Sequence, residues 1–113
     1  MGAIVFSDKV FERYLLDNFV YDNDGRISAG DALQVVSMQI DGELAPRITS
    51  LQGIEHFVNL RELTVQHTNI STLDVSRNEN LECLNCSDNQ LERLNLGRHN
   101  KLKRLYCNSN RLT

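Results

Sequence analysis

The residues best placed to hold a metal lie between 20 and 31. Asp22, Asp24, Arg26, Ser28 and Asp31 match the third, fifth, seventh, ninth and twelfth places of a twelve-residue calcium loop. Gly25 stands at the sixth place, where such a loop turns sharply. Arg26 would contribute only its backbone carbonyl. Two faults weaken the set. Val20 brings no ligand oxygen to the first place, and Asp31 is shorter than the bidentate Glu of the twelfth. The sequence therefore predicts weak calcium binding or none; the bland alternative is a loop that has kept the turn and lost the metal. No other cofactor is expected.

The thiols come next. Cys83-Leu84-Asn85-Cys86 has the Cys-x-x-Cys spacing of zinc and redox sites. If this stretch is a strand, side chains alternate and the two sulfurs face opposite sides, so they cannot share a tetrahedral metal. Cys86 and Cys107 then read as small buried core residues, with Cys83 on the open face. Three cysteines cannot complete a disulfide framework. His56, His67 and His99 are scattered, with no pair at metal-ligand spacing. The sequence shows no Ser-His-Asp context, no phosphate loop and no paired catalytic carboxylates, so an enzyme is not expected.

What positions these side chains is an internal repeat. Leu60-x-x-Leu63-x-Val65, Leu81-x-x-Leu84-x-Cys86 and Leu102-x-x-Leu105-x-Cys107 begin 21 residues apart. Their tails agree: Thr68-Asn69-Ile70, Asn89-Gln90-Leu91 and Asn110-Arg111-Leu112. The apolar pairs Leu73/Val75 and Leu94/Leu96 follow in phase. A looser copy starts at Ile48. This is a leucine-rich repeat pattern within its usual period. A single repeat cannot bury its apolar face, and stacking copies side by side does so. Asn89 and Asn110, with Thr68 as a weaker member, are expected to satisfy backbone groups where the chain turns inward.

The fold predicted is α+β: a short leucine-rich repeat solenoid of parallel strands, about three to four repeats of 21–22 residues, behind a helical N-terminal cap. Residues 1–36 form the cap and 37–113 the solenoid, as one continuous domain. In the cap, Ser7 reads as an N-cap with Asp8 adding favourable charge. Val10, Phe11, Tyr14, Leu15 and Phe19 follow at helical spacing. Ser28-Ala29-Gly30-Asp31 is a loose capping box, with Ala32, Leu33 and Val36 on one face behind it. Met38 and Ile40 fit a first solenoid strand, ended by Asp41-Gly42.

Composition narrows the function classes. The 113 residues are 41% hydrophobic and 24% charged, with net charge −3, which argues against a nucleic-acid partner. No apolar run is long enough for a membrane span. The opening Met1–Phe6 lacks the features of a signal peptide, so export would need a signal outside this chain. The charge is uneven: residues 1–46 sum to −5, whereas 91–113 carry six bases against Glu92 alone.

With the apolar positions inward, the outward ones form rows across the strands: Glu62-Cys83-Arg104, Thr64-Asn85-Tyr106 and Gln66-Ser87-Asn108. Such a concave ladder is the usual binding surface of a solenoid. Arg104 and Tyr106 are hot-spot residue types. The competing reading is that short polar side chains simply solvate an exposed sheet.

Ile48-Thr49-Ser50-Leu51-Gln52-Gly53-Ile54, continuing through Phe57 and Leu60 to Leu63, resembles the first repeat of internalin-like bacterial leucine-rich repeat proteins. Leu84-Asn85-Cys86-Ser87-Asp88-Asn89 and Leu105-Tyr106-Cys107-Asn108-Ser109-Asn110 resemble the cysteine-containing repeats of that group. An EF-hand- or dockerin-like helical pair ahead of the repeats is similar to what those proteins carry. The resemblance covers about 36–113 well and 8–35 loosely. It implies a secreted or surface-attached bacterial module for adhesion and protein binding, without catalysis, and names no ligand. The expected partner is a protein or a glycan. The alternative is a structural cap of a longer repeat protein whose binding repeats lie beyond residue 113. If the stack stopped at its third well-matched repeat, the last strand, near Leu105 to Cys107, would show an unpaired edge, which further repeats or edge-to-edge pairing would relieve. A monomeric fragment of a longer chain is expected there, with an edge-to-edge dimer as the alternative.

Overall fold

The computed structural model describes residues 4–19, 26–43, 45–98 and 101–111. Two helices, α1 (Lys9–Asn18) and α2 (Ala29–Leu33), precede six short strands. These are β1 (Ser37–Ile40), β2 (Glu62–Val65), β3 (Thr72–Asp74), β4 (Cys83–Asn85), β5 (Arg93–Asn95) and β6 (Arg104–Tyr106). The chain is thus an α+β solenoid of about three turns, its strands parallel and its helical segment N-terminal.

The 21-residue period becomes strand register. In the four-stranded sheet β1-β2-β4-β6, Met38 pairs with Leu63, Leu63 with Leu84 and Leu84 with Leu105. The first three of these are buried, whereas Leu105 is 39% exposed, because no described strand stacks beyond β6. Ile40, Val65 and Cys86 are likewise buried, and Cys107 packs only partly against the core. Cys107 was expected to be as buried as Cys86; one uncovered flank is the reason it is not.

The apolar pairs Leu73/Val75 and Leu94/Leu96 build a second, two-stranded sheet from β3 and β5, with Leu73 opposite Leu94. Leu73 and Val75 are buried between the two sheets' layers of side chains, and Leu94 and Leu96 are half-buried. Short 3-10 turns at Ala45–Arg47 and Ile54–His56 take the place of a strand in the first turn.

Turn chemistry repeats with the same period. Asn89 Nδ2 donates to the carbonyls of Val65 and Cys86, both at 2.8 Å, while its Oδ1 accepts from Thr68 N at 2.9 Å. One turn later, Asn110 Nδ2 donates to Cys86 and Cys107, and its Oδ1 accepts from Leu91 N. Thr68 has no amide; its hydroxyl donates to Asn89 Oδ1 at 2.6 Å and accepts from Ile70 N. The ladder expected of these three residues is present. A second set was not foreseen: the Nδ2 groups of Asn59, Asn78 and Asn80 donate back to carbonyls of the preceding turn. His67, Asp88 and Ser109 share a left-handed backbone, 21 residues apart, at the place where Gly42 turns the chain after β1.

The cap is tied on by Asp8. Its Oδ1 accepts from Val10 N and Phe11 N, so Asp8, one residue later than expected, is the N-cap of α1. Its Oδ2 accepts from the N–H groups of Thr49 and Ser50 and from the Thr49 hydroxyl. A short carboxylate therefore joins the helix start to the first solenoid turn, as Ser7 could not. Burial works against the charged form of Asp8, but these donors outweigh it and hold the carboxyl below the ordinary range. Tyr14, on the next turn of α1, places its hydroxyl on both the N–H and the C=O of Gln39. Phe11 and Leu15 are buried, and Phe6 meets Phe11 edge to face at 5.6 Å. In α2 the buried positions are Asp31 and Ala32, with Val35 buried just after it; Leu33 and Val36, expected on one face with Ala32, are exposed, because the helix ends after five residues.

Candidate functional site

The outer face of the four-stranded sheet collects the predicted rows. Ser37, Glu62, Cys83 and Arg104 align in register, followed by Gln39, Thr64, Asn85 and Tyr106. Among the described residues no element packs over Tyr106, which is 49% exposed, or over Arg104 and Glu62. Thr64, Gln66, Cys83 and Asn85 are half-buried by their neighbours in the row.

The third row is more internally bonded than the other two. Ser87, expected among the outward binding positions, is instead only 4% exposed, because its Oγ turns to the next repeat and donates to Asn108 Oδ1 at 2.8 Å. Asn85 Oδ1 accepts from Ser87 N at 3.2 Å. These bonds fix two amides and a hydroxyl in place at no further entropy cost on binding, which favours preorganised recognition.

At the N-terminal ends of the strands lies a groove of about 520 Å³, whose walls carry charge of both signs. Glu62, Cys83 and Arg104 open β2, β4 and β6, and Arg61, Glu82 and Lys103 each stand one residue ahead of them. Lys103 Nζ reaches Glu82 Oε1 at 3.6 Å across adjacent turns. Cys83 is half-exposed on this face while Cys86 is buried beneath the sheet, so the two sulfurs of the Cys-x-x-Cys stretch do lie on opposite sides. All three cysteines are free thiols. Burial first, and nearby Cys107 second, pushes the Cys86 thiol up to about 11.

At the opposite ends of the strands sits a polar cluster that the sequence did not announce. His67 Nδ1 lies 2.9 Å from Asp41 Oδ1, and His67 Nε2 lies 3.9 Å from Asp88 Oδ2. The hydrogen bond to Asp41 raises the His67 pKa and lowers that of Asp41. The three residues are far apart in sequence, and only the strand register brings them together.

For the calcium loop, Asp22 and Asp24 lie outside the described residues. Ser28 and Asp31 are engaged with each other: Ser28 Oγ accepts from Asp31 N, and Asp31 Oδ2 accepts from Ser28 N. This capping box starts α2 and leaves Asp31 only 4% exposed. The arrangement accounts for both residues without a metal. Arg26 is exposed beside them.

No described helix is long and apolar enough to cross a membrane. The sequence matches no protein-family model, and no curated protein matches it.

Proposed function

We propose that this chain is a non-catalytic recognition module that binds a protein or glycan ligand through the outer, concave-side face of its four-stranded sheet. The row Gln39-Thr64-Asn85-Tyr106 carries the reading. It is in register, uncovered, uncharged, and rich in both donors and acceptors around one exposed aromatic. Arg104, Glu62 and the charged groove supply the rim. The reading includes no cofactor, and weak calcium binding around 22–31 stays a separate proposal, tested by calorimetric titration. The internalin-like pattern supports placing the module on a bacterial surface or in secretion.

The test is a glycan and protein array probed with the wild-type chain and with Tyr106→Ala. A ligand bound by the wild type and lost on Tyr106→Ala supports the reading. A ligand bound equally by both, or no ligand at all, refutes it.

A further inference from the structure

The other sheet borders a second hollow, apart from the first. β3 pairs with β5 on one side only. On its other side the preceding turn passes as the 3-10 turn Ile54–His56 rather than as a strand. The space left between them is a hollow of about 580 Å³, within the range of small-molecule sites. Its floor is the buried trio Leu51, Ile54 and Leu73.

Backbone chemistry lines its edge. Ser71 C=O and Val75 N–H are bonded toward the β5 side. Groups alternate along a parallel strand, so Thr72 and Asp74 turn their N–H and C=O toward the hollow.

Charges of both signs surround it. Asp74 Oδ1 is occupied by the Ser76 N–H at 2.9 Å and the Ser76 hydroxyl at 2.6 Å, which leaves Oδ2. Glu55 Oε1 accepts from Gly53 N at 2.9 Å, and only a loose 3.9 Å approach by His56 meets Oε2. Arg77 lines the same hollow, its charge acts on Asp74, and it forms no ion pair among the described residues. The bonds from Ser76, aided by the charge of Arg77, hold Asp74 below the ordinary carboxylate range, so it is ionised at neutral pH.

We propose that this hollow binds a small zwitterion of the amino-acid class, its carboxylate on Arg77 and its ammonium between Asp74 and Glu55. A simple anion would meet the two carboxylates, and a simple cation would meet Arg77. A ligand carrying both charges satisfies each group and can also bond to the free edge of β3.

The probe is glycylglycine, titrated into the full chain and followed through backbone amide NMR shifts. Acetate and ethylammonium serve as half-ligands. Glycylglycine is expected to give saturable shifts confined to 53–56 and 72–77, with each half-ligand at least about tenfold weaker. Arg77→Gln and Asp74→Asn should each weaken binding about tenfold, the latter keeping the acceptor that Ser76 needs. Amides outside the hollow report that both variants are folded. The proposal is overturned if no shift saturates, if acetate alone matches glycylglycine, or if Arg77→Gln leaves the affinity unchanged.

Discussion

Replacing Asn89 by Ala removes the central rung of the turn ladder, and the structure fixes what is left behind. Val65 C=O loses the Asn89 Nδ2 donor at 2.8 Å, and Thr68 N–H loses the Oδ1 acceptor at 2.9 Å. Cys86 C=O is less affected, because Asn110 Nδ2 still reaches it at 2.9 Å. Each buried main-chain group left unpaired costs roughly 1–3 kcal/mol, so the two together give about 3–4 kcal/mol. That is a large share of the roughly 5–15 kcal/mol that holds a domain of this size. Asn110→Ala strands Leu91 N–H and Cys107 C=O, but Asn110 is half-buried and water can take its place. Its cost should be about 1–2 kcal/mol. The chain has no Trp, so urea unfolding is best followed by far-ultraviolet circular dichroism. A loss below about 1 kcal/mol for Asn89→Ala, or an Asn110→Ala effect as large, would refute the ladder as a source of stability.

Asp8→Asn can keep the cap through Oδ1, but it puts an NH2 donor where Oδ2 accepted from Thr49 and Ser50, and it should cost about 2 kcal/mol in the same assay. Because the folded state lowers the Asp8 pKa, its contribution is whole above the ordinary value of 3.8 and is lost as pH falls below it. The wild type, but not Asp8→Asn, should therefore lose that increment on acidification. Gly53 has φ 110°, and a Cβ there would enter the edge of the Phe6 ring, so Gly53→Ala should lower Tm by about 10 °C in a calorimetric scan. Cys83 and Cys107 should react with a thiol reagent well before Cys86, and a mass-spectrometric order that puts Cys86 first would contradict the core packing. His67 should titrate above 6.5 by proton NMR, with its ion pair to Asp41 present below that range and lost as pH rises through the raised value; Asp41→Asn should bring the titration back down.

The repeats were legible because a strand's inward positions admit few residue types, so Leu63, Leu84 and Leu105 recur at a visible period. The same logic placed Asn89 and Asn110, whose amides have no ready substitute at a buried turn. Asp8 was legible only as a favourable charge, since its tie to Thr49 spans 41 residues and leaves no local pattern. The left-handed row escaped notice because His67, Asp88 and Ser109 share a backbone angle and nothing else. The pairs Leu73/Val75 and Leu94/Leu96 kept phase, yet three-residue strands are too short to announce a second sheet. The hollow beside β3 was hidden for a related reason. It exists where the Ile54–His56 turn fails to become a strand, and a missing strand leaves no sequence signal.

The Tyr14 hydroxyl on Gln39 gives the main sheet a polarity that its composition does not reveal. A free strand edge is a template that recruits any extended chain nearby. At β1 one phenol meets both the donor and the acceptor of Gln39 at that edge, and α1, which carries it, is anchored by Asp8 to Thr49 and Ser50. Strand recruitment at β1 must first strip the phenol away and lift the helix, and nothing among the described residues does the same at β6. The two flanks of this sheet are therefore unequal: the one beside the cap is closed by a side chain rather than by another strand.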